Sequence, residues 1–502
     1  MADVYAQLEA ILVNTYAQDR SARMKAEEDL KAFLQLSNSF NGFLGMCQLP
    51  TVDANVKMAA VLTLKNNARN FWQTKDPVFA MTDAEKTQAK STLMQLLLAE
   101  THNPLRTLLA EVMKAVVEHE FPERWPELVP SLVVNLQSTD RLTIFNSLIA
   151  LRKLVKFYEY RDVSERKPLH DIIIAVFPSL QGLLGAIMQQ NEIEVAMVFH
   201  VTLKIFYSCT MYRLPGPETS AACDISFWFQ FMSYVLEKQL PGPGEAGEPS
   251  GQPQSKEERK EWPWWKAKKW ASRSIALFIA RYGNPKYAAA DNEQFATYFR
   301  NTTAPMLLGP VMNALAGQSS GSYITEEVHR QCLGFMNNAV EMSPTYKLVK
   351  AHLDFVLFSM IIPTLSLQDA DLRSFENDPV EFVRKVNNPM EDWLDPRVAA
   401  TNLLESLVRL RTKDTMPLLM EWLKSNLAVY DGEADPSKKD YKLKDAILVA
   451  MATIAKVRSF CKAGYTWPCL SLSHTHTPVY LLILFGYELG LAPMMILFFR
   501  RF

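Results

Sequence analysis

The run Asn55-Val56-Lys57-Met58-Ala59-Ala60-Val61-Leu62-Thr63-Leu64-Lys65-Asn66-Asn67-Ala68-Arg69-Asn70-Phe71-Trp72 reads as one amphipathic helix. Val56, Ala60, Leu64 and Ala68 share a face, and Phe71 extends it. Residues 142–158 repeat the pattern through Leu148, Leu151, Val155 and Tyr158. Short breaks with helix start and stop signals separate such runs: His102-Asn103-Pro104, Phe121-Pro122, Gln137-Ser138-Thr139-Asp140 and Leu214-Pro215-Gly216-Pro217. On this punctuation the helices pair as 3–17 with 20–36, 39–49 with 54–73, 83–99 with 104–119, 126–137 with 140–160, and 168–189 with 191–212. The pairing continues as 222–239 with 263–282, 292–316 with 324–341, 346–362 with a segment near 376–387, and 396–411 with 415–430, before a last helix at 441–457.

One pair recurs about every 40 residues, the range of HEAT and armadillo repeats. A single pair cannot bury its apolar faces, so stacking supplies the core and the array curves. The expected fold is therefore an all-α HEAT-repeat superhelical solenoid. Unrelated helical bundles rarely hold one spacing for so long. Two stretches interrupt the period. Residues 241–261 have linker composition and are expected to be disordered, while 367–395 are acidic and broken by proline, as in an elaborated excursion between helices. The expected division is a first helix at 1–21, an N-terminal region at 22–102, repeats at 103–240, the flexible insertion at 241–261, repeats at 262–457, and an apolar tail at 458–502.

The chain has 502 residues, 48% hydrophobic and 21% charged, with a net charge of −1. That is globular, and it is too balanced for nucleic-acid binding by charge alone. The six cysteines are scattered, with no CxxC, and read as buried thiols of a reducing compartment. Met1–Ala10 lacks the basic and apolar regions of a signal peptide, which points to cytosol or nucleus. Catalytic signals are missing: no Gly-rich phosphate loop, no nucleophile elbow, no HExxH. On a helix His119 points away from its neighbours Glu118 and Glu120, so a solvated face is the better reading than proton transfer. Cys461, Cys469, His474 and His476 match no common zinc spacing, and neither a metal nor a cofactor is expected.

Three segments together resemble the importin-β family of nuclear transport receptors, its importin seven and importin eight branch in particular. They are Val56–Asn67, Phe121-Pro122-Glu123-Arg124-Trp125-Pro126, and Trp262-Pro263-Trp264-Trp265-Lys266-Ala267-Lys268-Lys269-Trp270 with the basic helix that follows. Trp72, Trp125, Trp264, Trp265, Lys266 and Trp270 are the markers of that likeness. The resemblance implies an N-terminal arch whose inner helices meet the GTPase Ran in its GTP form, with Lys57, Lys65, Asn66 and Asn67 on or beside the contact; capping of the helix end is the competing role for these polar groups. It also implies shallow grooves between outer helices for the Phe-Gly repeats of nucleoporins, expected around 168–189, 222–239 and 292–316. Protein cargo of unknown identity completes the set of partners.

The Trp262–Trp270 cluster with its lysines offers a second possibility, a stacking platform for single-stranded nucleic acid. Its helical spacing favours aromatics wedged between repeats under lysine stems, so no direct nucleic-acid partner is expected. The likeness stops near residue 457, which implies the N-terminal half of such a receptor. Residues 479–499 are almost wholly apolar, with Glu488 near the middle. Three readings stay open there: translation past a splice junction, a tail anchor in a membrane, or a soluble apolar cap. The expected function is Ran-dependent protein import through the nuclear pore. The alternatives are a helical scaffold indifferent to Ran, or a receptor defective in cargo carriage.

Overall fold

The structure is a computed structural model, and it describes every residue except 1, 75, 77–78, 215–220, 243–250, 285, 320–321, 387–394 and 458–502. No strand occurs among the described residues. The Cys461–His476 cluster and the 479–499 run therefore lie outside them. The chain divides into two compact units, Met1–Phe227 and Trp228–Phe502.

The described residues of the first unit include the α-helices α1 (Ala2–Asn14), α2 (Arg20–Leu34), α3 (Ser39–Cys47), α4 (Ala54–Phe71), α5 (Asp83–Ala99), α6 (Asn103–Glu120), α7 (Leu128–Leu136), α8 (Arg141–Tyr158), α9 (Lys167–Ile187) and α10 (Ile193–Thr210). The breaks read from the sequence are caps. The Asp53 carboxylate accepts the Asn55 N–H at 2.8 Å, and Asp140 accepts from Leu142 and Thr143. Thr82 and Glu85 close a reciprocal capping box, and Pro104 occupies the first turn of α6. Each helix packs on the next but one as well as on its hairpin partner: α4 on α6, α6 on α8, α8 on α10, and α3 on α5, α7 on α9. Burial is accordingly two-sided. On α6, Leu109, Ala110, Val112, Met113, Val116 and Val117 are all buried, although they do not form one narrow stripe. Both α9 and α10 are long and apolar enough to cross a bilayer, but most of that stretch of α10 is buried within the unit.

A buried polar knot ties α4, α5 and α6 together. Trp72, just past α4, donates its indole N–H to Glu120 Oε1 at 2.9 Å, and Lys90 Nζ of α5 meets Glu120 Oε2 at 3.1 Å. Lys90 also donates to the Arg124 carbonyl and lies over the Trp125 ring at 5.8 Å. Phe40 of α3 sets its ring edge against Trp72, centroids 5.3 Å apart. Burial raises the Glu120 carboxyl, but the Trp72 and Lys90 hydrogen bonds and the charges of Lys90 and Arg124 outweigh it and hold the group below its ordinary range.

The second unit repeats the scheme. Here α11 (Ile225–Glu237) is followed by α12 (Lys256–Glu261), α13 (Pro263–Phe278), α14 (Glu293–Tyr298), α15 (Ala304–Ser319), α16 (Glu326–Glu341) and α17 (Ser343–Lys350). Then come α18 (Leu353–Phe355), α19 (Ile362–Leu365), α20 (Asp369–Asn377), α21 (Pro379–Val386), α22 (Pro396–Leu410), α23 (Thr412–Gly432) and α24 (Tyr441–Lys456). The layer α13–α16–α22–α24 is the counterpart of α4–α6–α8–α10. Wide π-type turns at Ile279–Gly283, Phe299–Thr303 and Val356–Ile361 interrupt helices expected to be continuous.

Three expectations change in this unit. The helix expected at 346–362 is two segments bent by 86°, with His352 at φ −124° between them. No proline or glycine lies at the bend, and Val349 and Leu353 on its two sides are both buried. The segment expected near 376–387 is two helices, because Asp378 before Pro379 is extended and Pro379 cannot continue a helix. Leu367, Leu372 and Phe382 bury together there, with Phe375 and Tyr441 against them. Finally, the part of 241–261 that is described is not a bare linker. The Gln252 side chain bonds the Pro241 carbonyl and accepts the Trp265 indole N–H, and Ser255 caps α12.

Two measurements test these cores. Glu120→Leu strands Lys90 in the interior and should cost about 3–5 kcal/mol in urea unfolding, whereas Lys90→Met/Glu120→Leu together should recover most of it. His329 of α16 lies buried 3.2 Å from the Thr364 hydroxyl, and burial pulls its imidazole down to about 4. A folded value below the ordinary 6.5 gives stability that is complete above pH 6.5 and drains away as pH falls towards 4, at most about 3 kcal/mol. Melting temperature should therefore fall less steeply between pH 6.5 and 4.5 in His329→Leu than in the unmodified chain.

Candidate functional site

Among the described residues no group of three or more His, Cys, Asp and Glu side chains is placed to hold a metal. The features with reach are faces. Along α4–α6–α8–α10 one side of each helix stays open while the others are packed. Leu62, Asn66 and Arg69 mark it on α4, Thr107, Glu111, Lys114 and Glu118 on α6, Ile149, Arg152, Lys153 and Lys156 on α8, and Met197, His200 and Lys204 on α10. Lys153 of α8 is ion-paired with Glu111 of α6, which confirms that these sides form one surface. Burial raises the Glu111 carboxyl, but the Lys153 bond and the charges of Lys153, Lys114 and Arg69 bring it down.

Of the four polar residues expected at the contact, Asn66 shares this surface, and Lys57, Lys65 and Asn67 are half-buried beside it. At about 100° per residue, Lys57 and Asn67 fall on the packed side with Ala60 and Leu64, Lys65 lies at its margin, and Asn66 alone is fully exposed. The stripe Val56-Ala60-Leu64-Ala68 suggested a narrow buried face. Packing against both α3 and α6 widens it to include Ala59 and Val61, and so rotates the open side to Leu62, Asn66 and Arg69. Leu62 and Arg69 went unremarked in the sequence because an exposed leucine and a lone arginine carry no pattern of their own. Trp72 is buried at the helix end, and Phe71 is the half-buried one, stacked on Phe79 at 4.4 Å.

The tryptophan cluster is spent on packing. Trp262, Trp264 and Trp265 are buried, Trp270 is half-buried beneath Arg273, and Lys266 pairs with Glu261 at 2.6 Å. Lys268 is buried too, donating to the Leu236 carbonyl at 2.6 Å. Beside His119, Glu120 turns inward and Glu118 faces Lys114, while the His119 backbone carbonyl accepts from Gln73 and Arg124.

The outer helices offer a different surface. From Ile172 to Asn191 the chain carries no charged residue, yet Ile174 is 44% exposed on α9 and Val134 is 68% exposed on the adjoining α7. In the second unit Phe358 and Trp422 stack at 5.4 Å, both half-buried.

Comparison with known proteins agrees with this architecture. Residues 26–99, which span most of α2 to α5, match the model of the importin-beta N-terminal domain, and residues 320–470 match the Cse1 model. An importin beta-like SAD2 homolog of Arabidopsis thaliana is 28% identical over 408 residues, 80% of this chain and 38% of that protein. Importin-8 of Homo sapiens is 26% identical over 451 residues, 88% of this chain and 42% of its own length. The chain thus spans about two fifths of the length of these relatives. Among solved structures, the exportin Cse1 in its cargo-free, cytoplasmic state superposes with a TM-score of 0.65 at 16% identity, over 90% of this chain and 46% of that one. Importin beta gives 0.51 at 16% identity, over 90% and 46%. With paired helices stacked in alternate layers and the N-terminal domain in place, the chain belongs to the importin-β family.

Proposed function

We propose that this chain is a nuclear transport receptor that binds Ran in its GTP form through the open face of its N-terminal helices and moves between cytoplasm and nucleus. The observation that carries the reading is the importin-beta N-terminal domain on α2–α5, whose helix α4 presents Leu62, Asn66 and Arg69 outward. Such a receptor works by linkage: Ran-GTP and cargo favour different arrangements of one array, so each weakens the other. No chemistry is required of the protein, and its relatives are named as transport receptors and not as enzymes.

Passage through the pore needs weak, repeated contact with phenylalanine side chains. Burying one contributes about 1.5–3 kcal/mol, enough when many act together. The exposed apolar sides of α9 and the adjoining α7 suit that contact; α9 coincides with one of the regions expected for it, and α7 lies outside them. Cargo is a protein of unknown identity.

The deciding measurement is binding of the 502-residue chain to Ran loaded with a non-hydrolysable GTP analogue and to Ran-GDP. The GTP form should bind at least tenfold more tightly. Asn66→Ala/Arg69→Glu should remove most of that preference with unchanged circular dichroism, and Lys57→Ala/Asn67→Ala should leave it nearly intact. Equal affinity for the two nucleotide states would leave a helical scaffold indifferent to Ran.

A further inference from the structure

Beyond α4 the open face of the first unit becomes basic, which the whole chain's net charge of −1 does not announce. Lys114 on α6 and Arg152, Lys153 and Lys156 on α8 fall on successive open stripes. Against them stand Glu111, Glu118 and Glu159. Glu159 is buried beneath the surface, where its carboxylate accepts from Ser208 and pairs with Arg152 at 3.5 Å. Glu118 sits 3.7 Å from Lys114, and Glu111 is taken by Lys153. Lys156 is fully exposed at the end of the row. Half-buried Ile149 and Met197 lie among the cations and add an apolar footing.

We propose that this row is a docking site for an extended acidic segment of a partner protein. Three stacked helices at 8–10 Å spacing set a track of about 20 Å, which about six extended residues would span. Alternate side chains of such a segment face the helices: carboxylates at two or three of these positions would meet Lys114, Lys153 and Lys156, and an apolar side chain at a neighbouring position of the same face would settle on Ile149 or Met197. Glu111 then changes partner, keeping Lys114 or Arg69 when Lys153 turns to the incoming carboxylate. The surplus of cations selects for charge. The apolar footing favours a polypeptide over a polyphosphate chain, which would bring charge and no apolar side chain. Recognition of this kind acts mainly on association rate and specificity, and it weakens with salt.

The test is fluorescence anisotropy of a labelled twelve-residue peptide rich in Asp and Glu with two leucines, titrated with the full chain. Neutral and lysine-rich peptides of equal length and a twelve-nucleotide single-stranded RNA serve as competitors. The acidic peptide should bind saturably, lose affinity at least tenfold between 50 and 300 mM KCl, and resist competition by the other three. Lys114→Glu/Lys153→Glu/Lys156→Glu should weaken it at least tenfold. The corresponding glutamine variant, which keeps the fold without adding repulsion, should weaken it less. Unchanged affinity in both triple variants would overturn the site, and tighter binding of the RNA would overturn its assignment to a protein segment. No GTPase is present, so failure here leaves the Ran reading standing, and failure of Ran binding does not touch this one.

Discussion

A helix hairpin cannot hide both of its apolar sides, and this constraint governs each unit of the chain. Partners in a hairpin cover one side only, so the other must find the next hairpin. The result is visible in α6 and α10, where buried residues run around most of the helix, and in the layers α4–α6–α8–α10 and α13–α16–α22–α24. What stays open is one narrow side per helix. In the first unit those sides align into one long open surface along α4–α6–α8–α10.

Apolar stacking is permissive about register, and buried polar groups restrict it. Glu120 needs Trp72 and Lys90 at once, so α4, α5 and α6 have one arrangement that leaves no buried charge alone. In the second unit Asp445 accepts from the Leu367 N–H at 3.0 Å and from Arg397 at 2.7 Å, joining α24, α22 and the start of α20. Lys268 supplies the carbonyl at the end of α11, although burial pulls its ammonium down to about 8. These contacts hold positions more than they add stability, since replacing a buried ion pair by apolar groups is often neutral.

Function in such a molecule lives in what its faces offer. The proposed contacts, a GTPase on α4, phenylalanine side chains on α7 and α9 and an acidic segment on α8, would need no reacting atom, only complementary surfaces on one frame. The aromatic and basic groups that look most like a nucleic-acid platform, Trp262 to Trp270, are instead interior packing, and Lys268 shows how far a charge can be drawn into it.

Helical period, caps and repeat length were legible in the sequence because they are local: Asp53, Thr82, Asp140 and Pro104 act within one turn, and apolar spacing is a property of a single helix. The boundaries of α1 to α10 accordingly fall within a few residues of those expected. The bend at His352 and the wide turn at Phe299–Thr303 were not legible, since neither holds a proline or glycine that would break a helix on its own. The same limit applied to the candidate contact. Which side of α4 faces outward depends on whether neighbours cover one flank or two, and Lys57, Lys65, Asn66 and Asn67 cannot report their neighbours. The sequence determined that this chain is a stack of paired helices of the importin-β type. Tertiary packing alone decided which side chains remained outside, because exposure is a property of the surroundings and not of the residue.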